Sequence, residues 1–374
     1  MMKEETYYRE DNRDELFVYQ PANWMKPITN IPKYRMKLTH ENTPIHRWNL
    51  PGVPCEFKIF IKRDDMTGCT LSGNKVRKLD FLLADAISQG YKQVITVGQL
   101  QSNHCRSVAI AAREVGMTSH LMMLANKHDD SKINLHGNML LNCLSASNIY
   151  VVQKSMIGKA GLDSKLENLR QHIQSTTGEK CYTIPVGGSN EVGVFGYIET
   201  FREMMNQNIC ERFDDVVVTS CGLGNTLAGL AIGNYLTGSH LRCHGIDVSE
   251  QTNMVIPSID EILTKLGLHH VKAEDIVNVI PGYHGKGYGL STQEELEFIT
   301  MVGKKTGIVL DPVYTGKAVL GLVQILNKRK DMFKGKRILF IHTGGIFIAT
   351  DGRLTDMLSQ SEQGLQQLVT LPEV

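Results

Sequence analysis

Lys75 stands in "TLSGNKVRKLDF", directly after Ser72, Gly73 and Asn74, where the chain turns into a helix. A helix N-terminus carries partial positive charge and disfavours a second cation, so an amine placed there loses its proton more readily. A lysine in that state can attack an aldehyde and form a Schiff base. The same spacing also fits a solvated helix face bearing Lys75, Arg77 and Lys78. A second stretch, "GQLQSNHCRS", follows an apolar run and opens another helix. There Ser102, Asn103 and His104 offer hydroxyl, amide and imidazole groups beside open backbone N–H donors, which suits a carboxylate. Capping of the helix by Ser102 or Asn103 is the other use of such residues. In "TSCGLGNTLAGL", Gly222, Leu223, Gly224, Asn225 and Thr226 lie between a strand and a helix, where backbone N–H groups can surround a phosphate. That loop lacks both the lysine of a P-loop and the full G-x-G-x-x-G of a dinucleotide fold. A tight turn that needs glycine fits it as well. Further along, "GKGYGLSTQEE" carries Tyr288, "LDPVYTGKAVLGL" carries Tyr314 and Thr315, and "IHTGGIFIAT" carries Thr343. Tyrosines beside glycine-rich loops can stack on a ring, pass protons or simply pack. One lysine nucleophile, one phosphate cradle, one carboxylate site and no metal-ligand cluster point to a single cofactor. Pyridoxal phosphate has the aldehyde for the lysine and the phosphate for the loop.

Regular elements must hold these groups. Short apolar runs at Phe57–Lys62, Gln93–Val97, His120–Leu124, Asn148–Val152, Cys181–Pro185, Asp215–Thr219, Arg242–Asp247 and Arg337–His342 read as strands. Between them lie stretches of helical periodicity. "NKVRKLDFLLADAISQG" puts Val76, Leu79, Leu83 and Ala86 on one face and ends at Gly90. "NHCRSVAIAAREVG", "NEVGVFGYIETFREMMNQ", "NTLAGLAIGNYL" and "STQEELEFITMVGKKTG" follow the same rule, the last with a Ser/Thr cap and acids in its first turn. Alternation of strand and helix predicts an α/β fold with parallel sheets covered by helices. Ligands then bind at the carboxyl ends of the strands, where the glycine turns fall. The first forty or so residues lack periodicity, carry Pro21, Pro27 and Pro32, and read as an arm laid over the folded body.

The 374 residues suit two domains or one large one. Hydrophobic residues at 42% and charged residues at 21% exclude a disordered chain or a fibre. Lys+Arg at 40 against Asp+Glu at 39 gives a net charge of +1, with no basic field for nucleic acid. No apolar run reaches the roughly 18–20 residues that cross a bilayer. The N-terminal "MMKEETYYREDNRDELF" is acidic and polar, unlike a secretory signal or a transit peptide. Eight cysteines occur singly, with no C-x-x-C, and are expected as free buried thiols in a reducing, cytoplasmic compartment.

The blocks "TPIHRWNLPG", "IKRDD", "SGNKVRKL", "QSNHCR", "IPVGGSN", "DPVYTGKA" and "IHTGG", in this order from Thr43 to Gly345, resemble the family of D-cysteine desulfhydrase and 1-aminocyclopropane-1-carboxylate deaminase. The resemblance implies the tryptophan-synthase-like (fold type II) architecture. That is two α/β domains with pyridoxal 5'-phosphate between them, in a homodimer acting on a small amino acid. It implies a larger cofactor-binding domain of residues 1–77 and 189–374 and a smaller one of 78–188. It implies Lys75 as the lysine bonded to the cofactor, with Ser102 and Asn103 near the substrate carboxylate and the cofactor ring. It implies residues 222–226 as the phosphate loop, assisted by Lys78, and Tyr288 and Tyr314 as active-site tyrosines, Tyr314 against the ring. The deaminase is expected to carry glutamate after the tyrosine of "DPVY" and leucine in the "H-x-GG" turn. Thr315 and Thr343 stand there instead and resemble the desulfhydrase branch. A carboxylate beside the pyridine nitrogen keeps it protonated, whereas a hydroxyl does not demand that proton. The resemblance therefore implies β-elimination of D-cysteine to pyruvate, hydrogen sulfide and ammonia. Alternatives are 1-aminocyclopropane-1-carboxylate deamination, elimination from another β-substituted D-amino acid, or a weakly active cofactor-binding homologue. Gln99, Leu223, Asn225 and "GGIFIATD" depart from the usual family pattern.

Overall fold

The computed structural model describes residues 15–126, 135–145, 147–157, 161–220, 223–250 and 252–360. Strands are numbered in chain order: β1 Phe17–Val18, β2 Tyr34–Arg35, β3 Ile45–Arg47, β4 Lys58–Lys62, β5 Gln93–Gln99, β6 Thr118–Ala125, β7 Asn148–Gln153, β8 Cys181–Thr183, β9 Asp215–Ser220, β10 Arg242–Asp247, β11 Asn278–Ile280 and β12 Arg337–Ile341. Two sheets carry the fold. One has six strands in the order β11-β10-β9-β12-β4-β3, the other four in the order β7-β6-β5-β8. All neighbours within them run parallel except β3 and β4, which are antiparallel.

Successive side chains of a strand point to opposite faces, so a strand covered on both sides must be apolar throughout. In β9, Val216 and Val218 join one hydrophobic cluster while Val217 joins another across the sheet. Likewise β12 gives Leu339 and Ile341 to the first and Ile338 and Phe340 to the second. The smaller sheet repeats this. Val94 of β5 packs on one side with Leu121 and Met123 of β6, and Ile95 and Val97 pack on the other with Met122. All eight expected strands are present, with ends shifted by a few residues. The parallel α/β architecture is as expected from the alternation.

The four strands not anticipated, β1, β2, β3 and β11, have two or three residues each, too few to display a period. From residue 15 onward, the N-terminal arm does lie over the body. β1 and β2 pair antiparallel, and Tyr19, Met25 and Ile28 enter the core beside Phe81 and Phe195. The rings of Tyr19 and Phe81 meet edge to face at 5.1 Å. The cysteines depart from expectation. Cys105, Cys181 and Cys243 are buried free thiols, but Cys55, Cys69 and Cys143 are exposed, and Cys221 lies outside the described residues. Among the described residues no helix is long and apolar enough to cross a membrane.

The helix Asn74–Ser88 crosses the helix Phe195–Asn206 where Gly196 leaves no room for a side chain, because a Cβ there would strike the carbonyl of Arg77. This close crossing buries Arg77 and Lys78, at 4% and 2% exposure, and so removes the reading of that face as solvated. Arg77 donates to Asp64 at 3.0 and 2.8 Å and to Glu203 at 2.9 Å. Lys62 donates to Glu203 at 2.5 Å, and Thr43 and Tyr197 donate to Asp64 at 2.7 and 2.8 Å. Burial alone would raise the Asp64 carboxyl, but Arg77 and then Lys62 outweigh it and hold the pKa at about 2. The network lies on the far side of the helix whose second residue is Lys75.

Candidate active site

Most walls of the candidate site begin where a strand ends; the wall of Asp311 and Tyr314 instead follows the helix Gln293–Thr306. After β4 the chain passes Gly73, whose φ of 95° admits glycine and whose Cβ would press on the Thr343 carbonyl at 2.9 Å, and enters the helix at Asn74. Lys75 follows. After β5 comes the helix Asn103–Glu114, after β9 the helix Asn225–Leu236, after β12 the Thr343 turn, and after β8 the glycine turn that precedes Ser189. The four-stranded and six-stranded sheets thus turn their carboxyl ends to one cleft. It encloses about 530 Å³ with its open mouth included, and is lined by Asn74, Lys75, Lys78, Asn103, Ser189, Thr219, Gly224, Asn225, Thr226, Asp311, Tyr314, Thr343 and Gly344.

The Nζ atoms of Lys75 and Lys78 both donate to the carbonyl of Gly187, at 3.4 and 3.1 Å. Gly187 has φ +65°, and a Cβ there would lie 3.4 Å from the Lys75 amine. Burial, followed by the neighbouring charge of Lys75, holds the Lys78 amine well below the usual lysine range. Opposite, Gly224 is left-handed at φ 59° and starts the helix Asn225–Leu236, so the open N–H groups of that helix face the cleft. Asn74 Nδ2 donates to Thr226 Oγ1 at 3.1 Å, which joins the two helix starts. Asn225 turns its Nδ2 aside to the carbonyl of Asn190 at 3.1 Å.

The three neighbours at the second helix start diverge. Ser102 Oγ accepts from the N–H of Cys105 at 3.2 Å and so caps the helix. His104 is buried, with Nε2 2.9 Å from Thr96 Oγ1, and burial followed by Lys75 and Lys78 keeps its imidazole well below the usual pKa. Asn103 alone of the three lines the cleft. On the far wall Tyr314 lines the cleft, and its hydroxyl hydrogen-bonds that of Tyr288 with the rings 5.8 Å apart at 64°. The Tyr288 loop is pinned from below by Lys317, which donates to the carbonyls of His284 and Gly287 at 2.5 and 2.9 Å. Thr343 lines the cleft. Thr315 does not: it is fully buried, and its hydroxyl donates to Asp311 Oδ2 at 2.6 Å. Asp311 does line the cleft, and accepts from the N–H groups of Val313, Tyr314 and Thr315 as well. Burial nevertheless keeps its pKa above the usual carboxylate value. Gly222 lies outside the described residues, and Leu223 is not one of the residues that line the cleft.

A protein-family model described as "Pyridoxal-phosphate dependent enzyme" matches residues 36–344. The chain belongs to the pyridoxal-phosphate-dependent enzymes. It is 42% identical over 334 residues, covering 88% of this chain and 82% of the relative, to a protein of Arabidopsis thaliana. That relative is named bifunctional D-cysteine desulfhydrase/1-aminocyclopropane-1-carboxylate deaminase, mitochondrial. It is 36% identical over 317 residues, 83% of this chain and 92% of the relative, to a D-cysteine desulfhydrase of Yersinia enterocolitica. Among solved structures, a crystal structure of an ACC deaminase homologue superposes with a TM-score of 0.76 at 35% identity, covering 91% of this chain and 99% of that one. O-ureido-L-serine synthase superposes at 0.61 with 13% identity, 89% of this chain and 98% of that one, and so shares the fold. The family within the pyridoxal-phosphate enzymes is that of D-cysteine desulfhydrase and ACC deaminase, and the fold is type II.

The residues present fit the cofactor on their own evidence. Asn225 Oδ1 and Thr219 Oγ1, from two residues that line the cleft, are buried and meet no partner among the described residues. Such atoms are costly unless a ligand satisfies them. Beside them stand a helix N-terminus and the buried Lys78 amine, which suit an anion. Sequence reasoning missed Asn74, Ser189, Thr219, Asp311 and Gly344. All five did lie within the quoted blocks "SGNKVRKL", "IPVGGSN", "TSCGLGNTLAGL", "DPVYTGKA" and "IHTGG", which was the available signal.

Proposed function

We propose that the chain converts D-cysteine and water to pyruvate, hydrogen sulfide and ammonia. The observation that carries this reading is the Lys75 amine facing a cleft between two sheets, with a helix N-terminus on one side and Asn103 on the other. Bound pyridoxal phosphate supplies an aldehyde for the substrate amine and a conjugated ring that draws electrons from Cα. Lys75 holds the cofactor, then takes the α-proton. Asn103, with the Ser102 hydroxyl one residue before it, receives the substrate carboxylate, and His104 supports that helix start from behind. Gly222 to Thr226, assisted by Lys78, hold the phosphate, for which Leu223 needs to offer only its backbone N–H. The Tyr288–Tyr314 hydroxyl pair would keep a proton close to the departing sulfur, and Tyr314, which lines the cleft, is the side chain that would meet the ring. Thr343 offers the cleft a hydroxyl, while Thr315 stays behind the wall and hydrogen-bonds the Asp311 carboxylate that lines it. Thiolate is a good leaving group and departs with a weaker electron sink than ring opening of a cyclopropane needs. The Arabidopsis relative's double name favours a second reading on the same site, 1-aminocyclopropane-1-carboxylate deamination.

The test is to load the protein with cofactor and assay sulfide and pyruvate with D-cysteine and L-cysteine, and 2-oxobutanoate with 1-aminocyclopropane-1-carboxylate. Sulfide and pyruvate in equal amounts from D-cysteine are expected. Silence with D-cysteine ends this reading, and 2-oxobutanoate alone replaces it with the second. The reading includes a small domain of residues 78–188 set on a larger one of 1–77 and 189–374. It also includes a cytoplasmic homodimer. Light scattering is expected to give twice the chain mass, and a monomer at working concentration removes the dimer.

A further inference from the structure

Arg106 is a fully buried guanidinium whose bonds go to neutral oxygens. Nε donates to Asn138 Oδ1 at 3.2 Å, and the two terminal nitrogens donate to the carbonyls of Thr70 at 2.5 Å and Ser72 at 3.0 Å. The ring of Phe347 lies 5.1 Å from its centre. Burial lowers its pKa to about 9, which still leaves it charged and donor-only at neutral pH. Asn138 is wholly buried. Its Nδ2 donates to the carbonyl of Gln101 at 2.9 Å and to Asn103 Oδ1 at 2.9 Å, while its own N–H donates to Gln101 Oε1 at 3.0 Å. Gly137 lets the chain reach this position. It sits at φ +56°, and a Cβ there would strike the Phe347 carbonyl and lie 2.8 Å from Gln101 Oε1.

Ordinarily an amide's orientation is a matter of inference, since oxygen and nitrogen look alike. Here it is dictated. Arg106 can only donate, so it must meet Asn138 Oδ1. The Gln101 carbonyl can only accept, so it must meet Asn138 Nδ2. The remaining N–H of Asn138 therefore meets Asn103 Oδ1. With its oxygen so engaged, Asn103 has its N–H pair left for the cleft it lines.

We propose that Arg106 and Asn138 form a positioning relay that fixes the Asn103 carboxamide with its donors toward the cleft, so that this wall selects an oxygen acceptor on the bound ligand. The relay rests on the reading of the cleft given under Proposed function. It also ties two walls together, because the same guanidinium holds the Thr70 and Ser72 carbonyls just before Lys75. The acceptor is an anionic or carbonyl-like oxygen, supplied either by the amino acid's carboxylate or by the ring oxygen of the cofactor.

Asn138→Asp is the decisive variant. It is nearly isosteric, yet it turns both donors into acceptors facing the Gln101 carbonyl and Asn103 Oδ1. Asn103 is thereby driven to turn over and present oxygen to the cleft. Two readouts separate the sources. In the first, apoprotein is titrated with pyridoxal 5'-phosphate, following absorbance and its pH dependence. In the second, KM and kcat are measured for D-cysteine or, if the wild type does not turn D-cysteine over, affinity for D-alanine is read by the spectrum of the loaded protein. A rise of about tenfold to a hundredfold in KM or in the D-alanine dissociation constant, with normal cofactor affinity, assigns the carboxylate. A matching loss of cofactor affinity or a displaced pH profile assigns the ring oxygen. If the aspartate variant does not fold, Asn138→Ser removes the donors without adding charge and is expected to show the same effect at a few-fold. Arg106→Lys, which keeps the charge but not the fork, should act in the same direction. Unaltered affinities in folded Asn138 variants, or a fall in kcat alone, overturn the relay. Because the cofactor titration needs no turnover, it judges the relay even where the D-cysteine reading fails.

Discussion

Replacing Lys75 with alanine is expected to lower kcat by about a thousandfold or more while leaving the melting temperature of the apoprotein within a few degrees of wild type. The two halves of that expectation come from different features. Lys75 is the second residue of its helix and only half-buried, so truncating it removes neither a cap nor core packing. Its amine, by contrast, is the nucleophile and the proton carrier at once, and groups that act twice in a reaction lose more than one step when removed. Borohydride reduction of the loaded wild type followed by peptide mapping should find the cofactor on Lys75. Lys78 is the necessary control, since its amine bonds the same carbonyl. Lys78→Ala should keep the label on Lys75 but weaken cofactor binding by about tenfold to a hundredfold, the scale of one charge-assisted hydrogen bond to a phosphate. A label on Lys78, or full turnover by Lys75→Ala, would contradict the assignment of the two lysines.

The fold was legible where burial on both faces forces a strand to be apolar throughout. Val216 to Val218 and Ile338 to Ile341 are such runs, and the structure splits their side chains between clusters on opposite sides of the sheet. It was illegible where elements are too short for a period, as in Ile45–Arg47, or where a breaker hides the pattern. Pro257 sits inside the helix Thr252–Lys265, and Gly316 and Gly321 interrupt the apolar pattern of the helix Thr315–Lys328. The site shows a different limit. Sequence placed Ser102, Asn103 and His104 at one helix start but not which of them meets a ligand. Consecutive helical residues point about 100° apart, so one caps, one lines the cleft and one enters the core. Asn138 carries no signal at all in sequence, because its meaning lies in three partners at least 32 residues away. Arg77 misled in the opposite sense. A cation between two lysines in a helix reads as solvated, and only the crossing at Gly196 shows why it is buried.

That burial makes Arg77 the position with the largest expected effect on stability. Arg77→Met keeps the length of the side chain but leaves Asp64 and much of Glu203 without their guanidinium partner. Removing one member of a buried ion network costs about 3–5 kcal/mol, because the remaining charges stay desolvated. For a chain of this size the melting temperature should fall by roughly 4–6 °C. The apoprotein is the proper sample, since bound cofactor would add stability of its own. The pH dependence identifies the cause. In the wild type the Asp64 carboxyl titrates at about 2, below its ordinary value of 3.8. A depressed carboxylate stabilises the fold at every pH above its unfolded value, and loses that contribution as pH falls from about 4 toward 2. Without Arg77, burial raises the same carboxyl instead, so the variant regains stability by protonating Asp64 at mild acidity. The gap between wild type and Arg77→Met should therefore be widest at pH 7 and narrow toward pH 4. Asp64→Asn combined with Arg77→Met should recover part of the loss, as both charges then leave together. A gap that is small, or constant with pH, would mean that the helix carrying Lys75 is seated by apolar packing and not by this network.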